Sequence, residues 1–207
     1  CSVYLFDRES GRLIRRISGL PETILDLAYS KDGGLLAVGM ARGKGVRVFE
    51  TANYAVVGED TEYEGSCYSL DFDGVGRMAT VSDTGSIRLY DAGLQLIAKQ
   101  KTRGGKAPFS VSFRPDGKQI AVGFMDSKKI DVVSGETLKR VFTPTIVGVD
   151  NGNLSSVTWS SDGQRLYAAG RYSDKEGSNL AEKIWEAQRN FKDVLEYSVD
   201  AILICDN

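Results

Sequence analysis

The sequence predicts an all-β chain built from repeated four-stranded antiparallel units, and three observations predict it. Short strand-like runs ending on an acid recur: "YLFD" to Asp7, "VRVFE" to Glu50, "IRLYD" to Asp91, "KKID" to Asp131 and "KIWE" to Glu186. The endings lie 43, 41, 40 and 55 residues apart, the period of a repeat architecture with an insertion in its last unit. Between them, Gly turns such as Asp32-Gly33, Asp116-Gly117 and Asp162-Gly163 join alternating runs. Asp-Gly in that setting is the strongest short-range hairpin signal, because Gly tolerates positive φ.

The elements follow in order. Residues 3–7 and 13–17 read as the third and fourth strands of a partial unit, joined through Ser10-Gly11. Four full units follow, with first strands near residues 24–30, 67–72, 109–113 and 154–160. After each Gly turn comes a second apolar run, "LLAVGM", "RMATVS", "QIAVGF" or "RLYAAG", and then the acid ending. The expected limits are 1–18 for the partial unit, 19–58, 59–100, 101–143 and 144–197 for the full ones, and 198–207 for the start of another. In that last piece "AILIC", residues 201–205, reads as a first strand. Residues 181–197 are ambiguous: Ile184, Trp185, Gln188, Phe191, Val194 and Leu195 fall at nearly helical spacing. The repeat phase instead places strands at 182–186 and 191–195, and the need to cover a neighbouring unit favours the strands.

A four-stranded unit of this kind cannot bury both faces alone, and radial stacking solves that problem. The recurring aromatic-acid pairs Phe6-Asp7, Phe49-Glu50, Tyr90-Asp91 and Trp185-Glu186, degraded to Ile130-Asp131, resemble those of WD-repeat β-propellers over essentially the whole chain. The stretches "RPDGKQIAVGFMDS" and "VDNGNLSSVTWSSDGQRLYAAGRY" are similar to bacterial WD-repeat arrays, some of which are fused to caspase-like or other effector domains. The resemblance implies an incomplete β-propeller, since a partial unit stands at each end and the exposed edges need covering by further chain or by a second copy. The chain departs from the family pattern in having no His at all. Asp83 and Asp126 occupy the loop-Asp position without their usual His partner, so each carboxylate must find backbone donors, a neighbouring hydroxyl or water.

Composition narrows the function. The net charge is −2 and the pI near 5.4, which does not describe a broad nucleic-acid-binding surface. No run of about 18 apolar residues is present to span a membrane, and the opening "CSVYLFDRESG" has neither the basic nor the apolar region of a signal peptide. An N-terminal Cys1 that leads straight into a strand pattern reads as the start of an excised piece rather than as a lipid-bearing end. Cys67 and Cys205 sit in apolar runs, where a free Cys behaves as a small hydrophobe. The pattern fits a cytoplasmic setting.

The absence of His removes Ser-His-Asp and Cys-His catalysis and His-ligated metals. The carboxylates fall at strand ends and turns, so they read as turn chemistry rather than as an acid–base pair. The loops "RGGK" (103–106) and "RGKG" (42–45) have phosphate-loop composition but precede strands instead of helices. Asp150, Asn151 and Asn153 offer oxygen ligands for Ca²⁺ at a spacing that matches no EF-hand. No catalytic residue, metal or cofactor is therefore assigned. The two longest loops, 143–153 and 172–181, fall on one face of the last full unit, and function gathers on such loops. The candidate partner-binding residues are Asp150, Asn151, Arg171, Tyr172, Asp174, Lys175 and Glu176. The expected function is a non-catalytic scaffold holding a protein or peptide, without nucleic acid or membrane. Self-association through open edges is a further expectation. The alternatives are a structural array beside a fused effector domain and, ranked third, an enzyme with an axial site.

Overall fold

The computed structural model describes residues 1–147, 149 and 151–171, and the apolar runs between the Gly turns form its strands. A two-stranded sheet pairs β1 (Ser2–Phe6) with β2 (Leu13–Ser18). Three four-stranded antiparallel sheets follow. The first contains β3 (Ile24–Tyr29), β4 (Leu35–Met40), β5 (Val46–Glu50) and β6 (Val56–Asp60). The second contains β7 (Cys67–Phe72), β8 (Met78–Ser82), β9 (Ser86–Tyr90) and β10 (Leu96–Lys101). The third contains β11 (Pro108–Phe113), β12 (Gln119–Phe124), β13 (Asp131–Ser134) and β14 (Arg140–Phe142). A hairpin of β15 (Ser156–Trp159) and β16 (Leu166–Ala169) completes the described residues. Each four-stranded sheet keeps its strands in chain order, and no sheet closes on itself among the described residues. The expected strands at 182–186, 191–195 and 201–205 lie outside the described residues.

Apolar runs such as "LLAVGM" stay apolar on both faces because the second strand of each sheet is covered on both sides. Ala37 packs with Leu70, Phe72 and Met78 of the next sheet, while Leu36, Val38 and Met40 pack with Val3 and Ile17 of the previous one. The same alternation puts Ala79, Val81, Ile87 and Leu89 against Val111, Phe113, Ile120 and Val122. It then puts Ala121, Ile130 and Val132 against Val157. Four apolar layers thus lie between five successive sheets. At about 25 cal/mol per Å² of apolar area removed from water, these layers are the main element joining the sheets, which among the described residues share no backbone ladder beyond the single bridge Phe124–Leu154.

The first strands stand side by side and are joined by side chains. Asp26 accepts the Leu70 amide at 2.9 Å, Asp71 the Phe113 amide at 2.7 Å and Ser110 the Val157 amide at 2.9 Å. These bonds satisfy amides on what would otherwise be bare strand edges. On the face carrying the hairpin turns, Arg77 binds Asp73 at 2.7 Å and reaches the carbonyls of Gly135 and Gly117 at 2.7 and 2.8 Å, pinning the second sheet to the third.

The turn between the third and fourth strands holds a large residue in the left-handed region: Tyr54, Leu94 and Leu138 have φ of 63°, 63° and 57°. Such backbone costs roughly 1–2 kcal/mol for a non-Gly residue. Packing offsets the strain, with Leu138 buried in the layer against which Ala98 packs and Leu94 lying over Gly58. This turn also corrects the sequence phase. Asp131 opens β13 instead of ending it, so Val133-Ser134 takes the place of Phe49-Glu50 and Tyr90-Asp91. Residue type alone aligns Asp131 with the other acid endings, whereas burial of Val132 and Val133 draws the strand three residues onward. Among the described residues no helix is long and apolar enough to cross a membrane.

Candidate functional site

Three polar clamps shape the face where the loops entering β7, β11 and β15 meet the turns leaving β8, β12 and β16. Asp83, after β8, accepts the Ser66 amide at 2.8 Å. Asp126, after β12, accepts the amides of Lys106 and Ala107 at 2.8 and 3.0 Å. Both carboxylates thus take backbone donors, while the Ser82 and Thr84 hydroxyls bond each other at 2.8 Å. Gly105 makes the approach possible, because a Cβ there would sit 2.5 Å from the Asp126 carboxylate. Burial pushes the Asp126 carboxyl up, but the two amides outweigh it and leave it below its ordinary value. The third clamp is reversed in direction. Asn153, ahead of β15, accepts the Arg171 amide at 2.8 Å and donates to the Met125 carbonyl at 2.7 Å.

That reversed clamp ties together the ends of the two long loops. The Asn153 amide also donates to the Arg171 carbonyl at 2.9 Å, so Arg171 is placed by its backbone on both sides. Lys128 donates to the Val149 carbonyl at 2.8 Å and holds the same loop from the β12–β13 turn. Asn151 and Arg171 therefore share one loop cluster. Asp150, Tyr172, Asp174, Lys175 and Glu176 lie outside the described residues. Of the candidate Ca²⁺ ligands, Asn153 has its side-chain oxygen and nitrogen committed to Arg171 and Met125. Among the described residues no three His, Cys, Asp or Glu side chains gather as a metal site would require.

The two phosphate-like loops are already occupied by the protein's own groups. In "RGGK" the amides of Arg103 and Gly104 donate to Asp131 at 2.8 Å each, and that of Lys106 goes to Asp126. In "RGKG" the Arg42 amide meets Ser66 Oγ at 3.2 Å, and those of Gly43 and Lys44 meet the Gly65 and Ala41 carbonyls. The glycine-rich composition follows from this internal bonding.

Sequence reasoning missed a buried polar network between the first and second sheets. Asp60, at the end of β6, accepts the Tyr90 hydroxyl at 2.6 Å and Arg88 Nη1 at 2.9 Å. Tyr63 lies 2.6 Å from the Thr80 hydroxyl and 3.0 Å from that of Tyr90, and its ring sits 4.1 Å from the Arg88 guanidinium. Arg88 also donates to the Glu62 carbonyl. Arg88, Thr80 and Tyr90 are each at most 3% exposed. Cys67 lies beside them, and burial pushes its thiol up to about 12. One signal was present: Ser86, Arg88 and Tyr90 alternate onto one strand face, and an Arg on a covered face requires an acid partner.

Clefts open between the sheets among the described residues. One of about 560 Å³ runs along the first strands and is lined by Lys31, Asp71, Asp73, Arg114 and Trp159 among others. Another, of about 260 Å³, lies between β10 and β13–β14. Fold and site together define an all-β array of stacked antiparallel sheets with a loop face held by side-chain-to-backbone clamps. No family model matches the chain, and no curated protein matches it.

Proposed function

We propose that the chain is part of a divergent WD-repeat-type β-propeller and works as a non-catalytic interaction module for a protein or peptide. Three consecutive four-stranded sheets in the same order, with their first strands side by side, support the propeller reading. The observation that carries the functional reading is the Asn153–Arg171 clamp. It fixes Asn153 at the end of one long polar loop against Arg171 at the start of the other, and an anchored loop end lowers the entropy lost on binding.

The test is capture of the partner by the intact chain and by forms in which residues 144–150 or 173–180 are replaced with short Gly-Ser bridges. Asn153 and Arg171 remain in both forms, so the frame is kept. Loss of capture in either form supports the platform. Undiminished capture by both assigns binding to another surface and overturns the reading.

A further inference from the structure

We infer that the 260 Å³ cleft between β10 and β13–β14 is a docking site for an extended acidic peptide with alternating apolar side chains. Its floor is aliphatic: Ile87, Val122, Val133 and Leu138, each buried, close it from below. Its rim is basic. Lys101, Arg103, Lys139 and Arg140 line it against one carboxylate, Asp131, in a chain whose net charge is −2. That carboxylate is 3% exposed and its Oδ2 already holds the Arg103 and Gly104 amides, so it fixes the Arg103 backbone at the rim without facing a ligand. Lys101 donates to the Thr84 carbonyl at 2.8 Å. Arg103, Lys139 and Arg140 are exposed and make no ion pair with any described residue.

The charge and the floor select the occupant. Exposed guanidinium and ammonium groups around an apolar base, without an ion pair among the described residues, favour a ligand carrying carboxylates beside aliphatic groups. The volume falls below the roughly 300–1,000 Å³ of small-molecule sites, which fits a few peptide side chains. Among the described residues no aromatic ring lines the cleft, and single-stranded nucleic acid binds by stacking on such rings. Among the described residues β10 and β14 are also the outermost strands of their sheets, each with one edge that pairs with no described strand. An extended peptide pairs with such an edge. These residues are separate from the loop face proposed above, and the site stands or falls independently of it.

The experiment uses the whole chain and a fluorescein-labelled twelve-residue peptide alternating Glu and Val, with a Lys–Val peptide and a twelve-nucleotide oligothymidylate as comparators. The Glu–Val peptide is expected to bind, to weaken at least tenfold in the Arg103→Glu/Arg140→Glu variant, and to shift the methyl resonances of Val122, Val133 and Leu138. Lys44→Glu, on another sheet, leaves its affinity unchanged, and equal thermal midpoints for both variants establish that the fold is kept. Failure to bind at millimolar peptide, an unchanged affinity in the double variant, or tighter binding of the oligothymidylate at the same methyls would each overturn the inference.

Discussion

The Tyr90 hydroxyl donates to the Asp60 carboxylate at 2.6 Å, from the third strand of one sheet to the last strand of its neighbour. Arg88 shares that carboxylate, and their side chains are 4% and 15% exposed. Removing Asp60 leaves a buried guanidinium without its counter-charge, which typically costs about 3–5 kcal/mol. Tyr90→Phe keeps the ion pair and loses a hydrogen bond to a charged acceptor, a cost of about 1.5–3 kcal/mol. Asp60→Ala is therefore expected to lower the urea midpoint more than Tyr90→Phe. Equal midpoints would mean that Arg88 does not depend on Asp60.

Gly33 and Gly45 test backbone strain against space. Their φ values are 75° and 61°, so an Ala at either pays the left-handed strain of roughly 1–2 kcal/mol. At Gly33 an added Cβ meets nothing within 4 Å, whereas at Gly45 it would fall 1.9 Å from the Asp60 carbonyl oxygen. Gly33→Ala is expected to cost about 1 kcal/mol, near the lower end of that strain. Gly45→Ala adds overpacking of about 1–3 kcal/mol. Chemical denaturation of both variants reads the difference directly.

Asp126 and Asp71 should tilt the pH dependence of stability in opposite directions. Asp126 is lowered from 3.8 in the folded state, so its contribution is present above that value and disappears as pH falls through the folded one. Asp71 is raised from 3.8 by burial, only partly offset by the Phe113 amide and Lys31. Its contribution is full below 3.8 and is lost as pH rises through the raised folded value. Between pH 3 and pH 6, Asp126→Asn should therefore lose ground against the native chain while Asp71→Asn gains it. Slopes of the same sign in urea titrations would refute the assignment.

Cys67 and Cys1 should differ in reactivity. Cys67 is wholly buried with its thiol pushed up to about 12, while Cys1 is exposed. Since the thiolate is the nucleophile, iodoacetamide at pH 8 should label the Cys1 peptide and leave the Cys67 peptide unmodified until denaturant is added. Peptide mass spectrometry checks both in one sample. Rapid native labelling of Cys67 would mean that the layer between the first two sheets opens readily.

The strands were legible because turn chemistry and period agree in this chain. "YSKDGG", "FRPDG" and "WSSDG" each put a polar residue, an Asp and a Gly between apolar runs, and each became a hairpin. Phase was less legible where residue type and burial compete: Asp131 has the residue type of a strand ending, yet it caps a loop across the sheet interface. The clamps were half legible: the acids at 83 and 126 stood out, but their backbone partners carry no side-chain signature. The Arg88 network was hidden for another reason. Its members at positions 60, 63, 80, 88 and 90 come from several strands and a loop, and only packing two sheets face to face brings them together.

The joints between first strands have one more consequence. A strand ladder shares its load over a row of main-chain bonds that side-chain changes other than to Pro leave in place. Here the bonds at Asp26, Asp71 and Ser110 depend on side-chain acceptors, so each is lost on substituting the residue that supplies it, while Ser69 still accepts the Val111 amide beside Asp71. The array can therefore be retuned one joint at a time, with the hydrogen-bond ladders inside each sheet left untouched.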